Sequence, residues 1–125
     1  MENQILELFK SIIDQDRCQI VICNLDHEIV YMNPQAVKDY AKRGGAALIG
    51  KNLLNCPNPQ SQKKIKEVIE WFQESEDHNL VHTYYSESHH WDVYMAALRA
   101  KGKLIGYYEK HEVREKDTMK FYDLW

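Results

Sequence analysis

The chain has 125 residues, a formal net charge of −3, 44% hydrophobic residues and 28% charged residues. This length suits one domain with one core, and eight Tyr and three Trp are too many large buriable side chains for a disordered chain. The acidic balance leaves no basic stripe, so we expect no direct binding to nucleic acid. The apolar runs are too short to cross a bilayer, so we expect no membrane partner.

The start of the chain and its cysteines indicate a cytoplasmic protein. Acidic side chains stand among the apolar ones of the first 15 residues, a pattern unlike that of a signal peptide. The three cysteines, Cys18, Cys23 and Cys56, are an odd number without zinc-type spacing. We therefore interpret them as reduced thiols.

An amphipathic helix is predicted to flank the domain at residues 1–15, where Ile5, Leu8, Phe9 and Ile12 recur at helical spacing. The apolar stripe is broader than a small sheet requires, and leaving it in water costs about 25 cal/mol per Å². Two outcomes are open: the helix packs on the outer face of its own sheet, or it pairs with the same helix of a second copy. We favour the homodimer, with these four residues in its interface.

Two β-rich runs follow, at 18–24 and 29–32, with a tight turn between them. Two helix starts come next, because Asn33 and Asn58 each precede a proline, whose missing N–H costs nothing in the first turn of a helix. The later of these helices carries the clearest helical face of the chain, formed by Ile65, Val68, Ile69 and Phe72.

Three strands are predicted in the last third of the chain, at 80–86, 90–98 and 104–110, since these runs are rich in Tyr, Val, Trp and Thr. Short turns join them into antiparallel hairpins. Residues 113–125 predict a short terminal helix or an ordered tail. The order of elements gives an α+β fold, a five-stranded antiparallel sheet with helices on one face.

Three motifs, taken in order, resemble PAS domains. Residues 22–36 read as strand, turn with an aspartate, strand, and then Asn followed by small residues, which is similar to the PAS opening. Residues 48–53 are similar to the usual entry to the middle helices, and residues 102–106 resemble the Gly-x-x-x-Gly that starts the last PAS strand. The resemblance covers about residues 16–112.

The resemblance implies a sensor fold that binds a small ligand or a partner protein, often as a dimer, in signal transduction or the regulation of transcription. The domain organisation is then a flanking helix at 1–15, a PAS domain at 16–112 and a helix or tail at 113–125. Since no output domain follows Trp125, we expect a stand-alone module.

The segment 55–61 resembles PAS domains that carry Asn-Cys-His-Pro-Pro-x-Ser, although Pro57 replaces the His. It also fits the Asn-Cys-x-x-x-Gln of light-sensing PAS domains, in which the thiol attacks a flavin; here that thiol is Cys56. Flavin is not favoured, because the positions that read the flavin ring fall near His82, Asp92 and Tyr108 in this chain. The cofactor stays unassigned.

Haem and a bound metal ion are the other cofactor alternatives. Cys56 precedes a proline, as haem thiolate ligands do in some proteins, but residues 61–77 contain no His. His82, His89 and His90 converge on one hairpin without the accompanying acid or Cys of a zinc site. We therefore assign no metal.

The sequence leaves open which face of the strand predicted at 90–98 lines a pocket. Its two faces carry Trp91, Val93, Met95 and Ala97 on one side, and His90, Asp92, Tyr94 and Ala96 on the other. Alternation favours the first face toward the core, whereas alignment with light sensors favours the second. The second arrangement gives a polar pocket with the candidate ligand-binding residues Cys56, His82, Tyr84, Asp92, Tyr94 and Tyr108.

Three functions stay in competition. The main hypothesis is a sensor for a small ligand, and the rival is a structural dimerisation module with a filled core. The third is an enzyme that uses Cys56 or Asp92. No pattern joins a nucleophile to a base, so we assign no catalytic residue and do not expect an enzyme. We expect Asp92 to point outward as an ordinary solvated charge.

Overall fold

The computed structural model describes residues 1–55 and 58–122. The main elements are α1 (Glu2–Gln15), β1 (Gln19–Asn24), β2 (Ile29–Met32), α2 (Pro34–Asp39), α3 (Pro59–Glu74), β3 (Leu80–Ser86), β4 (Trp91–Ala100) and β5 (Lys103–Val113). Three single-turn 3₁₀ helices lie between α2 and α3, at Ala41–Arg43, Gly45–Leu48 and Leu53–Asn55.

The five strands form one antiparallel sheet in the order β2-β1-β5-β4-β3. The early strands β1 and β2 therefore join the late hairpins through the β1–β5 pair. The helical middle of the chain crosses from one group of strands to the other, and α3 packs on one face. This confirms the predicted α+β architecture.

The inner face of the sheet, which packs on the helices, carries the face of β4 that alternation favoured. Val93 and Met95 are buried there, and Met95 belongs to the same core as Phe72 of α3. The buried side chains of that core are Val21, Cys23, Ile29, Met32, Ala36, Ile65, Ile69, Phe72, Met95, Leu104 and Tyr107. The predicted helical face of α3 is therefore its core face.

One buried amide ties three elements together. The Asn33 side chain is fully buried; its Oδ1 accepts from the backbone N–H of Ala36 at 3.0 Å and of Ile20 at 2.9 Å. Its Nδ2 donates to the carbonyl oxygens of Ile13 at 3.0 Å and Cys18 at 2.9 Å. The predicted N-cap of α2 thus also anchors the end of α1 and the start of β1.

The backbone requires glycine at both ends of the last PAS-like motif. Gly102 has φ +80° in the β4–β5 turn, a conformation that favours glycine. Gly106 lies so close to β1 that a Cβ would stand 2.5 Å from the Cys23 carbonyl oxygen. The two glycines therefore permit the turn and the central β1–β5 pairing.

Element ends differ from the sequence prediction most clearly after α2 and after β5. The sequence predicts that the helix after Asn33 runs to about Lys42, because Gly44-Gly45 stops it. The observed helix α2 ends at Asp39 and gives way to a 3₁₀ turn, ahead of Gly44 with φ +122°. Residues 114–122 form no helix, and side chains such as Met119 and Phe121 are exposed there. Of the two alternatives for this segment, the tail is the one observed. Positions 123–125 lie outside the described residues.

Helix α1 does not pack on the sheet. It has no buried residue, and its apolar side chains are among the most exposed of the protein. Its contacts with the sheet lie in its second half, where Asp14 accepts a hydrogen bond from the Tyr31 hydroxyl and the Lys10 ammonium lies 5.4 Å from the centre of the Tyr31 ring. The alternative in which α1 covers the outer face of its own sheet is therefore not the observed arrangement. None of the described helices combines the length and hydropathy that a membrane span requires.

The account predicts that Asn33→Ala destabilises the protein by about 3 kcal/mol, because it leaves several buried backbone groups without partners. The matched control is Asn58→Ala, which removes a solvent-exposed cap from α3 and should cost about 1 kcal/mol. Urea unfolding followed by tryptophan fluorescence gives both values. Equal losses for the two variants would contradict the bridging role of Asn33.

Candidate functional site

A cavity of about 670 Å³ lies between the inner face of the sheet and the helical middle of the chain. Its apolar wall is formed by Val21, Cys23, Ile29, Met32, Leu48, Leu53 and Ile65. Its polar lining comes from Tyr40, Arg43, Lys51, Asn52, Asn55, Ser61 and Glu109. A mostly apolar cavity with a few polar groups is the usual form of a small-molecule site.

A second cavity of about 490 Å³ adjoins the first under the start of α3. Ser61, Ile65 and Glu109 line both cavities, so these three residues mark their junction. The second cavity is the more polar in residue type; the rest of its lining is Asn58, Gln60, Lys64, Thr83, Tyr84, Val93, Met95 and His111.

Glu109 and His111 form a polar pair on the inner face of β5. His111 Nε2 lies 2.8 Å from Glu109 Oε1, and the two side chains are 12% and 25% exposed. The Trp91 ring contacts the imidazole edge-on, with ring centroids 5.0 Å apart. The sequence analysis missed this pair; alternation puts Glu109 and His111 on the same face of β5 as Tyr107, but the strand pairing and the burial of Tyr107 are needed to show that this face is the inner one.

A hydrogen-bonded chain runs from the larger cavity toward the β1–β2 turn. The Cys23 thiol, which lines the cavity, is hydrogen-bonded to the Tyr107 hydroxyl, and that hydroxyl lies 2.9 Å from His27 Nδ1. Burial raises the pKa of Cys23 to about 11 and also raises the pKa of Tyr107. Burial, with nearby Lys66, lowers the pKa of His27, whose neutral ring can accept from the hydroxyl.

The candidate residues His82, Asp92 and Tyr94 lie together, but on the outer face of the sheet. His82 Nε2 is 2.7 Å from Asp92 Oδ1, and the His82 ring lies 5.0 Å from that of Tyr94. Arg114 donates to Asp92 Oδ2 at 2.6 Å and, ahead of His82, lowers the pKa of the Asp92 carboxyl. Asp92 points outward as expected, so the arrangement in which this set lines an internal pocket is not observed.

Of the remaining candidate ligand-binding residues, Tyr108 and Tyr84 lie on opposite faces of the sheet. Tyr108 also lies on the outer face, paired between Ala96 and Ile22, so it is distant from the inner lining. Tyr84 is on the inner side, because a bulge after His82 shifts the register, and it lines the second cavity. Cys56 lies outside the described residues.

Within residues 1–55 and 58–122 the structure assembles no ligand set for the cofactors considered, and the candidate thiol of Cys56 lies outside those residues. The positions aligned with flavin reading, His82, Asp92 and Tyr108, lie on the outer face of the sheet. No His of segments 1–55 and 58–122 lines the larger cavity. Over those same segments, no three His, Cys, Asp or Glu side chains are grouped to hold a metal ion.

A scan against models of protein families finds no match for this chain, and a search of curated proteins finds none either. Solved structures do match. A C-terminal domain from Streptococcus mutans is similar with a TM-score of 0.67 and 23% identity, over 86% of this chain and 84% of that one. A PAS domain from Colwellia psychrerythraea is similar with a TM-score of 0.63 and 15% identity, over 87% and 96% of the two chains.

A sensory box sensor histidine kinase structure from Vibrio cholerae is similar with a TM-score of 0.54 and 18% identity, over 90% of this chain and 92% of that one. At these identities the likeness establishes the shared fold. It leaves the chemistry of the cavity to be argued from the residues of this chain.

The lowered pKa of His27 predicts a pH dependence of stability. Above pH 6.5 the ring is neutral in both folded and unfolded chains; below it the unfolded chain protonates first, so folding loses free energy as the pH falls. His27→Gln retains an acceptor for Tyr107 without this titration. The difference in unfolding free energy between wild type and variant should therefore shrink from pH 8 to pH 5. An NMR titration of His27 with a midpoint above 6.5 would contradict the assignment.

Proposed function

We propose, from the PAS-like fold of this chain, that it is a sensory module that binds a small molecule between its helices and the inner face of its sheet. The observation that carries the proposal is the cavity of about 670 Å³ in a domain whose neighbouring interior is tightly packed. Tyr107 and Phe72 in that interior are 0% exposed, so a space of this size beside them needs a reason.

The cavity favours a ligand-binding role over a structural module with a filled core. Its volume lies within the range of about 300–1,000 Å³ that is common for ligand sites, and its lining is mainly apolar. The chemistry of the described residues does not favour an enzyme: the Cys23 thiol, with its pKa raised to about 11, stays protonated at neutral pH and is a poor nucleophile.

The ends of the domain offer a route for output. Met32 lines the cavity, and the next residue, Asn33, holds the carbonyl of Ile13 at the end of α1. A ligand that fits one position of the β2–α2 junction better than another would shift the orientation of α1. The proposed role is therefore cytoplasmic signalling, including the regulation of transcription, with a partner protein that reads α1.

Homodimerisation through α1 is part of the proposal. Leu8, Phe9 and Ile12 are 57%, 58% and 70% exposed, an apolar stripe that residues 1–55 and 58–122 of the single chain leave uncovered. Beside α1, an apolar row crosses the outer face of the sheet in register, formed by Leu80, Ala96, Tyr108, Ile22 and Tyr31. Burying both surfaces in a two-fold interface removes them from water.

The cavity predicts binding of small apolar fragments. We expect that at least one such fragment raises the melting temperature of the protein, and that Leu53→Trp abolishes the shift by filling the cavity. The control is Leu25→Trp, the same substitution at a partly exposed position outside the lining. A fragment that stabilises Leu53→Trp as strongly as wild type would place its site elsewhere.

The dimer predicts a mass in solution of twice 14.8 kDa. Leu8→Glu combined with Ile12→Glu should give the monomer mass in light scattering, because two charges then stand in the apolar stripe. Ser11→Glu, on the polar side of α1, should leave the dimer intact. A monomeric wild-type protein, or a double variant that remains dimeric, would contradict the interface.

A further inference from the structure

The carboxylate of Glu109 stands at an unusual place in the fold. It lies on the inner face of β5, in register between Val21 of β1 and Met95 of β4, both of which are buried and apolar. A carboxylate in such surroundings needs hydrogen-bond donors. Since it lines both cavities, its free oxygen is within reach of whatever occupies them.

Donors are in short supply around this carboxylate. Among the residues that the structure describes, His111 is the one partner of Glu109, and it engages Oε1 alone. When His111 Nε2–H donates to that oxygen, Nδ1 of the neutral ring is an acceptor, and it is buried without a partner in the same described segments. The amide oxygen of Gln19, paired with His111 across β1–β5, is buried and unpartnered too.

The charges at the edge of the larger cavity indicate the charge of the ligand group that would donate to Glu109. Arg43 and Lys51 line the cavity with their exposed side chains, and neither is paired with Glu109. Their positive charges oppose a cationic head group, whereas Glu109 opposes an anion or a bare acceptor. A neutral N–H or O–H group on an apolar body satisfies both conditions.

We infer that the ligand of the proposed sensory site is a small, mainly apolar, neutral molecule whose N–H or O–H group donates a hydrogen bond to Glu109. The inference rests on the proposed function, because it assigns the chemistry of the same cavity. The N–H heterocycles and phenols are the classes that fit. His111 acts as a positioning residue that holds the carboxylate from the other side.

A pair of matched probes tests the inference. Indole carries an N–H donor, and benzofuran has nearly the same shape without one. Both are titrated into ¹⁵N-labelled protein, and affinities come from shifts of the backbone amides that line the cavity. We expect wild type to bind indole about tenfold more tightly than benzofuran, the value of one hydrogen bond to a charged acceptor.

Glu109→Leu should erase this preference, and Glu109→Gln, which keeps an acceptor oxygen and the shape, should retain part of it. The control is Glu112→Leu, on the outer face of the same strand, which should keep the tenfold preference. Equal binding of the two probes to wild type, or an undiminished preference in Glu109→Leu, would overturn the inference and leave the proposed function standing. Failure of both probes to shift any cavity amide would overturn the proposed function along with it.

Discussion

The pairing register of the three central strands decides what the interior of this protein contains. Val21 of β1, Glu109 of β5 and Met95 of β4 stand in one row toward the helices, while Ile22 and its neighbours in the next row face outward. Because side chains alternate, a slip of one residue would exchange these rows completely. The apolar lining, the inward carboxylate of Glu109 and the outward charges all depend on this one register.

The ends of the domain are coupled to that interior through Asn33. Its four hydrogen bonds join the helix that lies outside the core to the strand and helix that border the cavity. A polar group buried this deeply is stable only with all its partners in place. The junction is therefore rigid enough to hold α1 at a defined angle, while α1 itself makes few contacts that would oppose a change of that angle.

Much of the fold was predictable because local signals agree with the tertiary contacts. Asn33 and Asn58 mark helix starts by the chemistry of capping, and β2 and β3 have the bounds that their composition predicts. Alternation along β4 correctly indicated its core face. The polar lining that alignment with light sensors favours is not observed, because Val93 and Met95 are the buried side chains on the inner face of β4.

The candidate site was harder to predict, since cavities depend on the distances between elements rather than on residue types. His82 and Asp92 attracted attention as polar residues in strands, yet they satisfy each other and Arg114 on the surface. Glu109 was overlooked, because its inward position follows from pairing with β1 and β4 and not from its own neighbours in sequence. Which face a charged strand residue occupies is a property of the whole sheet.

The most direct test of the account is to locate a bound fragment by intermolecular nuclear Overhauser effects to methyl groups. Neighbouring residues on opposite faces make the measurement decisive. We predict contacts from the fragment to the methyl groups of Val21 and Ile29, which line the larger cavity. Contacts to Ile22 and Ala96 in their place would put the ligand on the outer face and contradict the account.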